Sequence, residues 1–366
     1  MKLGIFIAVY KESEQLEPLL RFLGEDAYQN KEIYVCVDEP TEKTKRLIDS
    51  IGEKITFKVS ATRLGKVEAL NSAVMETECD AIVFLDSDIE IHQEDFLTLV
   101  AEEMKRFDVI EIKKKIIQDS FIAQIINYDY LSANFTNFLF SRYVGRCLAV
   151  NGSAFAIRRD AFDLLGGFGK EICEDLDIAT RTYLNGLRFG YADDVEIQNK
   201  VSPSWRIWFK QRRRWGIGQA HWLQSHFRDI INSIIKNPKT LVAALLIIFP
   251  SLPLLIGFII TPDTIYMKTA SFFLIFLAGK ELILVPPIAA LLLGTTFLRF
   301  FIAAVVIYIT FAVVFYYFAK RLGYSFGLPQ FTFYFFIYNP LWLIISIVML
   351  IRVLLWRNNY KLDWKV

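Results

Sequence analysis

Residues 81–88 read Ala-Ile-Val-Phe-Leu-Asp-Ser-Asp, an apolar run ending in two carboxylates, Asp86 and Asp88, one residue apart. A strand alternates its faces, so residues i and i+2 point the same way. The pattern predicts a buried strand that aims both carboxylates at one point beyond a sheet edge. Two negative charges held that close repel unless a cation sits between them. Mg²⁺-type ions prefer oxygen ligands and use few carboxylates together with phosphates. The chemistry expected here is a divalent ion carrying a diphosphate.

Four further features carry chemistry. Ile33-Tyr34-Val35-Cys36-Val37-Asp38 places another carboxylate at a strand end, an acceptor for a nucleoside imide or hydroxyl. Arg63-Leu64-Gly65-Lys66 opens a helix with Gly then Lys, and a helix start with an added point charge attracts anions. Cys173-Glu174-Asp175 follows the glycine-rich Gly166-Gly167-Phe168-Gly169. Adjacent carboxylates invite a general base, because crowding and burial raise a pKa. On residue type alone, acids at a helix N-terminus account for them equally well. Gln211-Arg212-Arg213-Arg214-Trp215 combines guanidinium groups that match phosphate oxygens with an aromatic platform for a sugar face. The alternative is a basic membrane-surface patch, above all for Arg212 and Arg213.

These residues need elements to position them. Leu3–Val9, Ile33–Val37, Ile55–Val59 and Ala81–Leu85 read as strands. Ser13–Leu23, Thr41–Ser50 and Lys66–Glu76 between them read as helices, with Ser13 and Thr41 as N-caps. Such alternation predicts an α/β fold with a mostly parallel, helix-covered sheet, whose ligands bind past the carboxyl ends of the strands. Asp38 and Asp86 belong there. In segment 119–144, Phe121, Ile125, Tyr128, Phe135 and Phe138 recur at helical spacing. That suits either a core-facing helix or one lying on a membrane. Segment 204–235, with its Trp, His and Arg, reads as an interfacial helix.

The end of the chain reads differently. Leu241–Ile260, Phe300–Ala319 and Phe331–Trp356 are each long and apolar enough to span a bilayer. The region 265–298 carries Lys280, Glu281 and Pro286-Pro287. One span there gives four in all and a cytoplasmic C-terminus; two give five. We read four. The Lys280–Glu281 pair is an ion pair that glues helices or a functional site.

Composition sets the bounds. The chain has 366 residues, room for about two domains. Its net charge of +2 is too near neutral to point to nucleic acid. The four cysteines, Cys36, Cys79, Cys147 and Cys173, are widely spaced, which argues against a zinc site or a disulfide framework and suits a reducing compartment. The apolar start is too short for a signal peptide. The organisation expected is a cytoplasmic α/β domain over 1–200, interfacial helices over 201–238 and a transmembrane helical domain over 239–366.

Taken in order, the motifs resemble those of the inverting, nucleotide-sugar-dependent glycosyltransferases of family two, in particular the membrane-embedded branch with cellulose, chitin and hyaluronan synthases and ceramide glucosyltransferases. The matching residues are Asp38, Lys66, the D-x-D pair Asp86 and Asp88, Asn151-Gly152-Ser153, the E-D pair Glu174 and Asp175, and the Q-x-x-R-W residues Gln211, Arg214 and Trp215. Cys173 stands where the family usually has Thr, and Glu39-Pro40 replaces the usual continuation after Asp38. The resemblance implies a GT-A-like fold and a nucleotide-diphosphate sugar donor, expected to be a UDP-sugar. It implies Mg²⁺ or Mn²⁺ on Asp86 and Asp88, and donor contacts from Asp38, Lys66, Gln211 and Arg214. Asp175, beside Glu174, is then the base and Trp215 the acceptor platform. The expected partners are the donor, a polysaccharide or lipid acceptor and the lipid bilayer, with no nucleic acid. The expected location is the cell (plasma) membrane, multi-pass, with the catalytic domain cytoplasmic. Three functions follow: polysaccharide extension, which we favour, single transfer to ceramide, diacylglycerol or polyprenyl phosphate, and a non-catalytic nucleotide-sugar sensor or transport protein.

Overall fold

The computed structural model describes residues 1–51, 55–236, 238 and 287–355. The first half follows the expected alternation: β1 (Leu3–Tyr10), α1 (Leu16–Glu25), β2 (Lys31–Asp38), α2 (Glu42–Ile51), β3 (Ile55–Ser60), α3 (Lys66–Met75) and β4 (Ala81–Asp86). Then come β5 (Ile89–Glu90), α4 (Phe96–Arg106), β6 (Val109–Ile116), α5 (Phe121–Leu139), β7 (Ala154–Arg158), α6 (Arg159–Leu165), α7 (Glu174–Leu184), β8 (Phe189–Asn199) and the long α8 (Trp205–Lys236). Beyond these lie α9 (Pro287–Leu322), α10 (Leu328–Phe333) and α11 (Asn339–Leu355).

The strands form one sheet of order β3-β2-β1-β4-β7-β6-β8-β5. β3, β2, β1 and β4 run parallel, β7 is antiparallel to both its neighbours, and β6 and β8 are parallel. The sheet is therefore mixed, with its parallel half as expected. Thr41 caps α2 by accepting the Thr44 N–H at 3.3 Å. Ser13 is not an N-cap: α1 begins after Gln15, and the Ser13 hydroxyl donates to the Ser87 carbonyl at 2.6 Å instead.

Strand alternation gives each face its own core. Leu3, Ile5, Ile7 and Val9 of β1 pack with α1 and α4. Phe6 of β1 and Phe84 of β4 point the other way, into a core shared with α3, α5, α6, α7 and α8. The helices thus cover both faces. Segment 119–144 turns its Ile125, Tyr128 and Leu131 into this second core, the core-facing alternative. The C-terminal helices join the same core through residues such as Phe315, Phe331 and Trp342. Tyr128 of α5 donates to the Gly327 carbonyl at 2.8 Å and accepts from the Gly327 N–H at 2.7 Å. All four cysteines are free.

Two stretches, Ala304–Leu322 and Leu328–Leu355, are long and apolar enough to cross a membrane. They correspond to the expected spans Phe300–Ala319 and Phe331–Trp356. The expected span Leu241–Ile260 and the Lys280–Glu281 pair lie outside the described residues, and with them the choice between four and five spans.

Candidate active site

The parallel strands present their carboxyl ends along one edge. Register fixes this: Asp38 is opposite Tyr10, and Asp86 opposite Ala8. Asp38 is buried, and its Oδ2 accepts the Gly65 N–H at 2.7 Å. It thereby holds the left-handed Gly65 (φ +93°) that starts α3, a backbone conformation open to glycine at no steric cost. Lys66 is the first residue of that helix. Its ammonium lies 2.8 Å from Asp86 Oδ1 and 3.1 Å from Glu174 Oε1. Burial alone would favour loss of its proton, but the charges of Asp86, Glu174 and Asp175 outweigh it and hold the pKa above the ordinary lysine range. The cation thus joins the end of β4 to the start of α7.

Asp88 differs from the expected strand geometry. β4 ends at Asp86, and residues 87 and 88 form a turn into β5, so pleat alternation does not aim Asp88. The turn still keeps the two carboxylates close. Asp88 lies on the exposed rim of the site, and its carboxyl is pushed up by the protein around it and then by the Asp86 charge. No ion pair engages Asp88 among the described residues. No group of three or more His, Cys, Asp or Glu is gathered for a metal among them either. Two carboxylates completed by phosphate oxygens match the donor set of a Mg²⁺-type ion, and a cation there would relieve the repulsion.

Glu174 and Asp175 open α7, behind Cys173. The acids sit on a helix N-terminus, and one of them is strongly perturbed. Burial, then the neighbouring Glu174 charge, raise the Asp175 carboxyl to about 7. The Gly152 N–H, donating to its Oδ2 at 3.0 Å, and the charge of Lys66 pull the other way. A carboxyl titrating near neutrality suits a general base.

The Asn151-Gly152-Ser153 segment connects these groups. Ser153 donates from its N–H and its hydroxyl to Asn151 Oδ1 (3.0 and 2.9 Å), and its carbonyl accepts the Asp86 N–H at 2.8 Å. Asn71 of α3 is a residue the sequence did not flag. It exchanges two hydrogen bonds with the backbone of Phe168, both 2.9 Å, and so fixes the glycine turn leading into α7. Gly166 and Gly167 there are left-handed (φ +72° and +78°), which explains the glycine pair.

Along α8 the five residues 211–215 take different places. Gln211 and Arg213 are exposed, while Arg214 and Trp215 are half-buried. Arg214 faces the E-D turn closely enough for its charge to favour the Cys173 thiolate against burial. Arg212 is not a membrane-surface cation: it is buried, 2.6 Å from Asp129 Oδ2 and 2.7 Å from the Tyr338 hydroxyl. Its guanidinium carbon is 4.3 Å from the centre of the Trp215 ring. The helix is held on α7 by Trp222, which donates to Thr180 Oγ1 at 2.8 Å, and by His226, 3.0 Å from Asp177.

The geometry therefore gathers Asp38, Lys66, Asp86, Asp88, Glu174 and Asp175 at one edge, with Arg214 alongside. Gln211 makes no described contact with them. The chain as a whole is similar to known sugar transferases. The chain is 38% identical over 88 residues to the probable glucomannan 4-beta-mannosyltransferase 14 of Arabidopsis thaliana, covering 24% of this chain and 16% of the relative. It is 25% identical over 251 residues to the glucomannan 4-beta-mannosyltransferase 7 of the same plant, covering 62% and 44%. The chain thus spans less than half the length of these curated relatives. A solved structure of the mannosyltransferase PcManGT from Pyrobaculum calidifontis, in complex with GDP-Man and Mn²⁺, shares the fold with a TM-score of 0.51 at 19% identity, over 83% of this chain and 86% of that one. The fold is GT-A-like, as expected. The family model for glycosyl transferase family group 2 matches residues 81–356, well over half of the chain, and the chain therefore belongs to that family as a glycosyltransferase.

Proposed function

We propose that this glycosyltransferase moves a sugar from a nucleotide-diphosphate donor to an acceptor hydroxyl with inversion, at a membrane, and so extends a polysaccharide. The carrying observation is Asp175, a carboxyl raised to about 7 beside Glu174, which Lys66 ties to Asp86 at the strand edge. In this reading Asp38 lies under the nucleoside, and Lys66 and Arg214 face the phosphates. Asp86 and Asp88 would hold Mg²⁺ or Mn²⁺, which when bound neutralises charge on the diphosphate leaving group. Asp175 takes the proton of the acceptor hydroxyl as it attacks the anomeric carbon from the opposite side. Glu174 keeps Lys66 in place, Trp215 offers its face to the acceptor sugar, and Gln211 borders the donor side.

The motif resemblance favours a UDP-sugar. The names of the relatives, mannosyltransferases, and the GDP-Man bound to PcManGT favour GDP-mannose, which is the first donor to test. The relatives' glucomannan names also support polymer extension over transfer to a lipid. The membrane-embedded branch, the plasma-membrane location and the division at 1–200, 201–238 and 239–366 belong to the same proposal. Support comes from the apolar residues α9 and α11 expose, among them Val306, Ile309, Val313, Ile344, Ile347 and Ile351.

The test is nucleotide release by detergent-purified protein given GDP-mannose, UDP-glucose or UDP-N-acetylglucosamine with Mn²⁺, followed by sizing of the labelled product. Turnover with one donor and a high-molecular-weight product are expected. A single organic-extractable product would replace the polysaccharide reading with the glycolipid one, and no turnover of any donor would overturn both.

A further inference from the structure

Strand β6 carries a buried ion pair that the chemistry above does not use. Lys114 Nζ lies 2.5 Å from Glu111 Oε1, and both side chains are nearly inaccessible, at 1% and 2%. Residues three apart on a regular strand point to opposite faces. Here the pairing of β6 with β8 is irregular, with residues 193–195 of β8 unpaired between Ile112 and Lys113, and the Glu111 and Lys114 side chains meet. Asn134 of α5 brackets the Lys114 backbone, and the Lys114 carbonyl also accepts the Tyr324 hydroxyl.

Both charged groups reach one short segment. Glu111 Oε2 accepts the Asn151 N–H at 3.0 Å, and Lys114 Nζ donates to the Ala154 carbonyl at 2.7 Å. Between these anchors, Gly152 N–H donates to Asp175 and the Ser153 carbonyl accepts from Asp86 N–H. Four successive residues are thus held at both ends by the pair, and in the middle they bond the Asp175 carboxylate and the backbone N–H of Asp86, the first residue of the D-x-D. Breaking a buried pair on one side is strongly destabilising, whereas replacing both partners is often neutral. Stability alone therefore gives little reason for charges in this place.

We propose that Glu111 and Lys114 are positioning residues for sugar transfer: they clamp residues 151–154 so that Gly152 holds Asp175 and Ser153 holds Asp86 in register. This rests on Asp175 being the base. Neither residue touches substrate; they act through the backbone of the segment they hold.

Two double variants separate positioning from packing. E111Q/K114Q removes the charges but keeps an acceptor for Asn151 and a donor for Ala154. E111L/K114M keeps volume and loses both. Nucleotide release from GDP-mannose, UDP-glucose and UDP-N-acetylglucosamine with Mn²⁺ is measured against pH, beside thermal unfolding and a D175N control. The glutamine pair is expected to stay within about threefold of wild type with the same acidic limb. The apolar pair is expected to unfold near the wild-type temperature but lose about 10²-fold in kcat, the cost of a small misplacement. Its acidic limb should move to higher pH, because a carboxylate that loses an N–H donor holds its proton more tightly. Equal activity in the two folded variants overturns the proposal, as does a loss of about 10²-fold in the glutamine pair. Should the apolar pair not fold, the glutamine pair decides alone. A fully active D175N would instead overturn the base assignment, a result distinguishable from either.

Discussion

At the scale of single residues, the proposed chemistry turns on Asp175. Its proton is held more tightly in the native protein than in an unfolded chain, so turnover should rise with pH along a limb centred near 7. Asp175→Asn should cost about 10²–10⁴-fold in turnover, the usual contribution of a positioned base, while donor binding persists in equilibrium titration. Stability should move the other way. A carboxyl raised in the folded state destabilises it increasingly as pH climbs from the unfolded value toward the folded one. Thermal unfolding of Asp175→Asn should therefore match wild type near pH 4 and exceed it at pH 8, by about 1 kcal/mol once partial exposure is discounted. Asp88→Asn should raise the Mn²⁺ concentration needed for half-maximal nucleotide release by roughly tenfold or more, the effect of removing one of two carboxylates. An unchanged Mn²⁺ titration would take Asp88 out of the ion's reach.

At the scale of elements, the site depends on how closely α8 approaches the start of α7. A Cβ built on Gly218 would collide with Cys173 Sγ, so this glycine lets the two helices meet. Gly218→Ala should destabilise by about 1–3 kcal/mol through overpacking and lower turnover with it. Cys173→Ala in the same protein should restore most of the melting temperature, because it removes the obstructing sulfur. This contact also shows what a linear reading can and cannot deliver. The parallel strands, the helices between them and the placing of Asp38, Lys66 and Asp86 at one edge were legible, because apolar runs and turn residues report local periodicity. The turn at 87–88, the docking of Ser13 on Ser87 and the Arg212–Asp129 pair were not. Each is decided by a partner distant in sequence, and residue type alone could not tell a buried guanidinium from a solvated one. Glu111 and Lys114 were hidden for a further reason, since their spacing implies opposite faces of a regular strand and yet the two side chains meet.

At the scale of the whole molecule, α5, α8 and α11 meet around Arg212. Asp129, Trp208, Trp215, Tyr338 and Trp342 surround its guanidinium, and Tyr338 is the last residue of a π turn over Tyr334–Tyr338. Arg212→Met should cost about 3 kcal/mol or more, because Asp129 is left without its cation. Adding Asp129→Leu should recover much of that loss, as thermal unfolding in detergent would show; no recovery would mean that the aromatic contacts dominate. The two cores divide labour as well. Lys66, Glu174, Asp175 and Arg214 come from α3, α7 and α8, whereas α1 and α4 pack the other face of the sheet around Leu16, Leu19, Phe96 and Val100. That far side has a practical use. An antibody fragment raised against the outer surface of α1 and α4, where Glu17, Arg21 and Arg106 are exposed, would add mass for electron-microscopic imaging while leaving sugar transfer free to be watched as it proceeds.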